Sequence, residues 1–379
     1  MKKFFLIAGE TSGDFHGSNL VNSIKKVEPN SSFMGHGGDL MKKSGVQILE
    51  HIDNLSIMGF TEVIHHLPSI YSIFKKTVSA IERAKPDRII LIDYPGFNLR
   101  LSKKINMLNI PITYFILPQT WAWKKNRVKI IEKYIEQPVS IFSFEKQWYL
   151  KNKVNVDFFG HPLIDHKHFD EDSKSFFTRH QLTIEHPILL LLPGSRRQEV
   201  DKHWPIYLEV ANKLKSDNPR LQFILGKPKW LKINNIPDYI KVENDAKKAM
   251  VVSTAGIVAS GTATLECAIE ELPIVVCYKM STVSWFLAKI LVSLKFSSIV
   301  NIIANEKIVP ELLQNQMNSK NLIAKVKPLL NLKTNERNQM INKFQPLKDI
   351  LGIPGVYDRV ANSIVKRMNS NECKKSNVF

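Results

Sequence analysis

The sequence predicts an α/β protein of two Rossmann-like domains in tandem, each a doubly wound parallel sheet whose strand ends face a central cleft. Three observations predict it. Short apolar runs alternate with longer amphipathic or charged stretches along the chain, the pattern of repeated βα units. Some runs are apolar without a break, as in Ile188-Leu189-Leu190-Leu191-Leu192, which implies burial on both faces of a sheet. The 379 residues suffice for two cores of ordinary size.

In the first set, strands are expected at Lys3–Ala8, Ser32–Gly35, Arg88–Asp93, Ile112–Ile116, Val139–Phe142 and Val156–Phe159. Helices are expected between them, at His16–Val27, Ser69–Ala84, Leu99–Leu108 and Lys125–Tyr134. Gly160-His161-Pro162 closes the set and bounds a first domain at 1–165. Residues 166–186 read as a linker, because Asp165–Lys174 is rich in His, Asp and Glu without periodicity. A second domain, 187–350, has strands at Ile188–Leu192, Gln222–Leu225, Ile257–Ala259 and Ile274–Cys277. Its helices fall at Val200–Leu214, Thr262–Glu270, Ser284–Leu294 and Leu322–Leu330. In 351–379, a last helix over Val356–Met368 is expected to pack back on the first domain, with a frayed polar tail from Asn369.

Composition excludes wholesale disorder, with 44% hydrophobic and 23% charged residues. Fifty-three Lys+Arg against 35 Asp+Glu give a formal net charge of +18 and a pI near 9.6. That surplus favours anionic partners such as anionic lipid or phosphorylated substrates. The lysines are scattered in pairs, from Lys25-Lys26 to Lys247-Lys248, without an arginine-rich arm, which argues against nucleic acid. A lysine-biased, solvated surface is the alternative. Cys267, Cys277 and Cys373 form neither a disulfide framework nor a zinc spacing and fit a reducing compartment. The N-terminal apolar run, Phe4–Ala8, is too short for a signal-peptide core. No stretch reaches the ~18 apolar residues of a membrane span. The expectation is a cytoplasmic protein with peripheral membrane contact.

Four strand ends carry candidate chemistry. Gly9-Glu10-Thr11-Ser12-Gly13-Asp14 follows the first strand and precedes a helix, where glycines let backbone amides approach a ligand. It is neither a GxGxxG fingerprint nor a phosphate loop with GKS/T; a capped structural turn is the alternative. Asp93 ends an apolar strand and is followed by Tyr94-Pro95-Gly96-Phe97-Asn98. A carboxylate there could take a proton from an attacking hydroxyl, or it could cap the turn through the Phe97 or Asn98 amides. Gly194-Ser195-Arg196-Arg197 follows Leu192-Pro193 and offers guanidinium forks to phosphate oxygens. Ser260-Gly261-Thr262 leads into a helix with Glu266 one turn on. The helix end suits a diphosphate and the carboxylate the two hydroxyls of a ribose; Thr262 as a plain N-cap with Glu266 solvated is the alternative. Metal sites are poorly supported: Asp170-Glu171-Asp172 sits in the linker, and His65-His66 and His161 lack partners at ligand spacing.

Two apolar segments are interleaved with lysines. Ile57-Met58-Gly59-Phe60 leads through Leu67, Ile70 and Phe74 to Lys75-Lys76, and Trp285–Val292 continues to Phe296. They suit contact with anionic lipid or packing in a core.

Taken in order, these pieces resemble the lipid-A-disaccharide synthase family across most of the chain. The resemblance rests on Ala8 to Asp14, Ile57-Met58-Gly59, Ile92-Asp93 with Pro95 and Phe97-Asn98, and Pro118-Gln119-Thr120-Trp121-Ala122-Trp123. It continues through Phe159-Gly160-His161-Pro162, Leu192 to Arg196 and Ser260 to Glu266. It implies a GT-B fold and inverting transfer of 2,3-diacylglucosamine from its UDP derivative to the 6-hydroxyl of 2,3-diacylglucosamine 1-phosphate. The product implied is a β-1,6-linked disaccharide, with UDP released, no metal or other cofactor required, and work at the inner face of the cytoplasmic membrane. It further implies Asp93 as general base, Arg196 and Glu266 in the UDP pocket, Tyr278 and Met280 beside the uracil, and Asn301 in the donor site. Many members have Ala and a second Asp where this chain has Tyr94 and Gly96, which concentrates the base on Asp93. A homodimer is left open. The nearest alternatives are a lipid-linked N-acetylglucosaminyltransferase and a UDP-sugar 2-epimerase; a basic binding protein without catalysis is a third.

Overall fold

Apolar runs with small turns between them resolve into two units, Met1–Asp165 with Leu351–Phe379, and His166–Ile350. The structure is a computed structural model that describes all residues except 56–59, 123–124, 166–172, 282–284, 286–294 and 377–379, and except the side chains of 60–67 and 371–376.

The first unit holds a seven-stranded parallel sheet in the order β3-β2-β1-β4-β5-β6-β7. Its strands are β1 (Lys2–Ala8), β2 (Ser31–Gly37), β3 (Val46–His51), β4 (Arg88–Ile92), β5 (Ile112–Phe115), β6 (Gln137–Ser140) and β7 (Asp157–Phe158). Helices α1 (Thr11–Val27), α2 (Asp39–Lys43), α3 (Phe60–Ala84), α4 (Pro95–Ile105), α5 (Val128–Tyr134) and α6 (Ser143–Lys151) connect them. Alternate residues of β1 enter opposite cores: Phe4, Leu6 and Ala8 one, Phe5 and Ile7 the other. This two-faced burial is why the strand is apolar from Phe4 to Ala8. Strand order reverses between β1 and β4, and Ala8 pairs with Ile92. Gly9 and Asp93 therefore leave the sheet side by side at the switch point, where ligands of such sheets bind.

The C-terminal helix Val356–Ser376 adds Val356, Val360, Ala361, Ile364 and Val365 to the core that holds Leu20, Val21 and Ile24 of α1. The Asp165 carboxylate accepts from the Gly355 and Tyr357 amides at 2.6 and 3.0 Å, capping that helix. Arg359 donates to the Phe159 carbonyl, so Phe159-Gly160-His161-Pro162 is the seat of the C-terminal segment. The helix continues past Asn369 to Ser376, where a frayed tail was expected.

The second unit holds a six-stranded parallel sheet, β10-β9-β8-β11-β12-β13. The strands are β8 (Ile188–Leu192), β9 (Gln222–Gly226), β10 (Ile240–Glu243), β11 (Ala255–Ala259), β12 (Ile274–Tyr278) and β13 (Glu311–Leu313). Its first helices are α7 (Ser173–Arg179), α8 (Arg197–Asp217), α9 (Ala246–Val252) and α10 (Thr262–Ile269). Here the order reverses between β8 and β11, so the loops from Pro193 and from Ser260 flank the second switch point. The stretch 166–186 is not a bare linker. Helix α7 buries Phe176, and Arg179 and His180 pair with Glu243 of β10 at 3.0 and 2.9 Å. The expected helix Ser284–Leu294 lies, apart from Trp285, outside the described residues.

Candidate active site

β4 ends at Ile92, and the Asp93 amide donates to Phe115 at 3.1 Å. The backbone then turns through two consecutive left-handed residues, Asp93 with φ 44° and Tyr94 with φ 48°. Each costs on the order of 1–3 kcal/mol for a residue with a side chain, so the surroundings must hold them. The Asp93 carbonyl accepts from Asn98 Nδ2 and from the Tyr114 hydroxyl, both at 2.7 Å. The Phe97 and Asn98 amides donate to the Tyr94 carbonyl at 3.2 and 3.1 Å. These amides are thus spent on Tyr94, and the alternative of Asp93 as their cap is overturned. Burial, reinforced by the Glu10 carboxylate and opposed by the Tyr94 amide, pushes the Asp93 carboxyl up to about 6.

Gly9 serves Tyr94 directly. A Cβ at Gly9 would lie 2.3 Å from the Tyr94 ring, which also stacks on Phe97 at 5.7 Å and donates its hydroxyl to Leu55 at 3.1 Å. Ser12 and Gly13 were expected in a loop, but α1 begins at Thr11, and they form its first turn. Asp14 is buried, and its carboxylate accepts from the Gly38, Leu40 and Met41 amides at 2.7, 3.1 and 3.0 Å. The motif therefore divides: Gly9 and Glu10 belong to the Asp93 environment, while Gly13 and Asp14 pack α1 and anchor α2.

Beside it, the loop after β5 is held from α6. Trp121 Nε1 donates to Glu145 at 2.8 Å, and the Tyr149 hydroxyl joins Thr120 and the Pro118 carbonyl, each at 2.9 Å. Burial raises the Glu145 carboxyl to about 7. Trp123 lies outside the described residues.

In the second unit, Gly194 has φ 121°, and a Cβ there would meet Glu199 Oε2 at 2.5 Å. Glycine is required on both counts. Glu199 Oε1 accepts from the Tyr278 hydroxyl at 3.0 Å and lies 3.8 Å from Arg196 Nη1. Burial, then the Glu199 charge, pushes the Tyr278 hydroxyl up to about 12. Ser195 and Arg196 are exposed, and Met280 is partly so. His203 ties the two loops together. Its Nδ1 lies 2.6 Å from the Pro193 carbonyl, which can only accept, so Nδ1 carries the hydrogen. Nε2 lies 2.9 Å from the Lys279 amide nitrogen and 3.2 Å from the Lys279 carbonyl; at the shorter contact it accepts the amide hydrogen, and burial lowers the ring's pKa.

Sequence reasoning missed Glu199 and His203. The available signal was their spacing with Tyr207, four residues apart on the α8 face that buries Val200, Trp204 and Ala211. Polar residues on an apolar stripe call for a partner.

At the end of β11, Ser260 Oγ donates to the Ser297 carbonyl at 2.9 Å. Gly261 precedes α10 in an extended conformation, and no heavy atom of the described residues lies within 4 Å of where a Cβ would sit. Among the described residues the space beside the helix start is open, with Thr262 exposed there. Glu266 is partly buried one turn on, with Lys247 Nζ 3.8 Å away. Burial raises its pKa and Lys247 opposes the rise. Asn301 does not present its amide to a ligand. It is fully buried; Nδ2 donates to Val309 and Glu311, and Oδ1 accepts from the Ile308 and Val309 amides, all within 2.7–2.9 Å. Its hydrogen-bonding capacity is filled by the protein. Glu311 also accepts the Ser297 and Ser298 amides, so Asn301 shapes the loop beside Ser260 from beneath.

The expected membrane segment is only partly described. Ile57, Met58 and the Phe60 side chain lie outside the described residues. Phe74 turns inward, edge-on to Phe97 at 5.5 Å, because α3 needs it to cover the sheet. Tyr71 is exposed beneath Lys75, whose Nζ is 4.6 Å from the ring centroid. Among the described residues, no helix is long and apolar enough to cross a membrane.

The fold is similar, at 12% identity, to the S. aureus MnaA–UDP co-structure, with a TM-score of 0.69 over 97% of both chains. It is also similar to the glycotransferase of kitacinnamycin, with 12% identity and a TM-score of 0.64 over 97% of this chain and 99% of that one. Two parallel sheets, each with a glycine-marked loop at its switch point, place the protein in the GT-B class. Sequence narrows the class. The family described as Lipid-A-disaccharide synthetase matches residues 4–350. The lipid-A-disaccharide synthase of Coxiella burnetii is 33% identical over 368 residues, 96% of this chain and 98% of that protein. Lipid-A-disaccharide synthase 1 of Legionella pneumophila is 36% identical over 355 residues, 91% and 92% of the two. The chain belongs to the lipid-A-disaccharide synthase family and is a glycosyltransferase of lipid A disaccharide synthesis.

Proposed function

We propose that the enzyme joins UDP-2,3-diacylglucosamine to 2,3-diacylglucosamine 1-phosphate by a single inverting displacement, with Asp93 as the general base. The observation that carries this reading is the carboxyl of Asp93, at the switch point of the first sheet, with its pKa raised to about 6. A base works best when its pKa lies near the working pH. It takes the proton of the acceptor 6-hydroxyl as that oxygen attacks the donor's anomeric carbon, and the bond to UDP breaks.

The second unit holds the donor. Arg196 and the open N-terminus of α10 at Ser260, Gly261 and Thr262 face the diphosphate and stabilise the charge that grows on it. Glu266 takes the ribose, and Tyr278 and Met280 border the base; Ser195 and Gly194 shape the loop. Gly9 and Glu10 border the acceptor. No metal is assigned to the reaction. The acyl chains place both sugars in a membrane, and the net charge of +18 favours its anionic face on the inner side.

Purified protein incubated with the two sugars tests the reading through UDP release. Release that requires both sugars, with formation of the disaccharide, supports it. Release from the donor alone, which an epimerase-like or hydrolytic enzyme would give, refutes it.

A further inference from the structure

We infer that Asn98 and Tyr114 are positioning residues for the transfer: from α4 and from β5 they hydrogen-bond the Asp93 backbone carbonyl and hold the turn that aims the Asp93 carboxylate. The inference rests on Asp93 being the base.

Two adjacent left-handed residues do not persist unaided. The bonds from Phe97 and Asn98 amides to the Tyr94 carbonyl are those of any helix start and select no side chain. The Asp93 carbonyl is different, because both its donors are side chains, Asn98 Nδ2 and Tyr114 Oη, each 2.7 Å away. Two donors fill both lone pairs of the carbonyl and leave the peptide no alternative rotation. Asn98 is fully buried, yet its Oδ1 takes no hydrogen bond among the described residues. Such an orphaned oxygen is unfavourable, so the residue is there for its donor. Tyr114 is also fully buried, and burial holds its hydroxyl protonated, as a donor must be. With either bond gone, the peptide can relax and carry the carboxylate off line. Misplacement on the order of 1 Å costs roughly a hundredfold in rate.

Tyr114→Phe removes one hydroxyl, and Asn98→Leu keeps the branched four-atom side chain while removing its donor. Assayed with both sugars, each is expected to lower kcat about tenfold or more, and the pair together further, with KM and UDP affinity little changed. The pH midpoint of kcat/KM should also fall from about 6 towards the ordinary aspartate value, as the loosened carboxylate gains water. Ile105→Val in buried α4 serves as the control for lost stability alone, lowering the melting temperature but moving neither kcat nor the midpoint. Wild-type kcat and midpoint in both variants, alongside an inactive Asp93→Asn, overturn the positioning role and leave the base in place. Normal turnover of Asp93→Asn removes the base itself, and the positioning role with it.

Discussion

Asp93 shows how one position can carry both structural cost and chemical use. Its raised pKa comes from burial and from Glu10, so the group loses its proton only as pH rises past about 6. kcat/KM should accordingly increase through about pH 6 and level off above it, whereas a solvated aspartate would put the same limb near 3.8. A profile flat down to pH 5 contradicts the assignment. Gly194 carries a second residue-scale prediction. Its positive φ and the Glu199 oxygen 2.5 Å from a would-be Cβ make Gly194→Ala displace the Arg196 loop, at a cost of roughly 1–3 kcal/mol. UDP titration should show weakened binding with the fold retained.

Elements divide by what they bury. The central strands β4, β8, β11 and β12, apolar on both faces, were legible as uninterrupted runs; β3, β10 and β13, at sheet edges, were not, because half-exposed strands such as Ile240-Lys241-Val242-Glu243 mix charge with apolar residues. The strand-end loops were legible from their glycines and hydroxyls. The polar residues beneath them were not: His203, Glu199 and Glu311 act through partners 76, 79 and 14 residues away in sequence. For the same reason Asn301, which the resemblance puts in the donor site, is a brace whose side chain is bonded within the protein. His203→Leu should unpin the Pro193 loop from Lys279 and leave buried backbone groups unpaired, raising the donor KM about tenfold or more while kcat at saturation changes less. Asp165→Ala should remove the cap from the C-terminal helix and lower stability by ~1 kcal/mol, read as a drop in melting temperature with UDP affinity intact.

At the scale of the whole molecule, the formal charge of +18 belongs to a protein proposed to draw its substrates from a membrane. Binding to anionic phosphatidylglycerol vesicles should exceed binding to neutral phosphatidylcholine and weaken as salt is raised. Equal binding to both contradicts an electrostatic contact. Fold class and family were accessible from ordered motifs, while the geometry at the Asp93 carbonyl depends on bonds that no spacing in the sequence announces. Asp93→Asn, which keeps size and removes the base, is the decisive variant for Asp93 as general base when turnover with both sugars is paired with calorimetric UDP binding. With Asp93 as the base, UDP affinity stays unchanged and the rate falls by about 10²–10⁴-fold; near-normal turnover by a variant that binds UDP would remove Asp93 from that role.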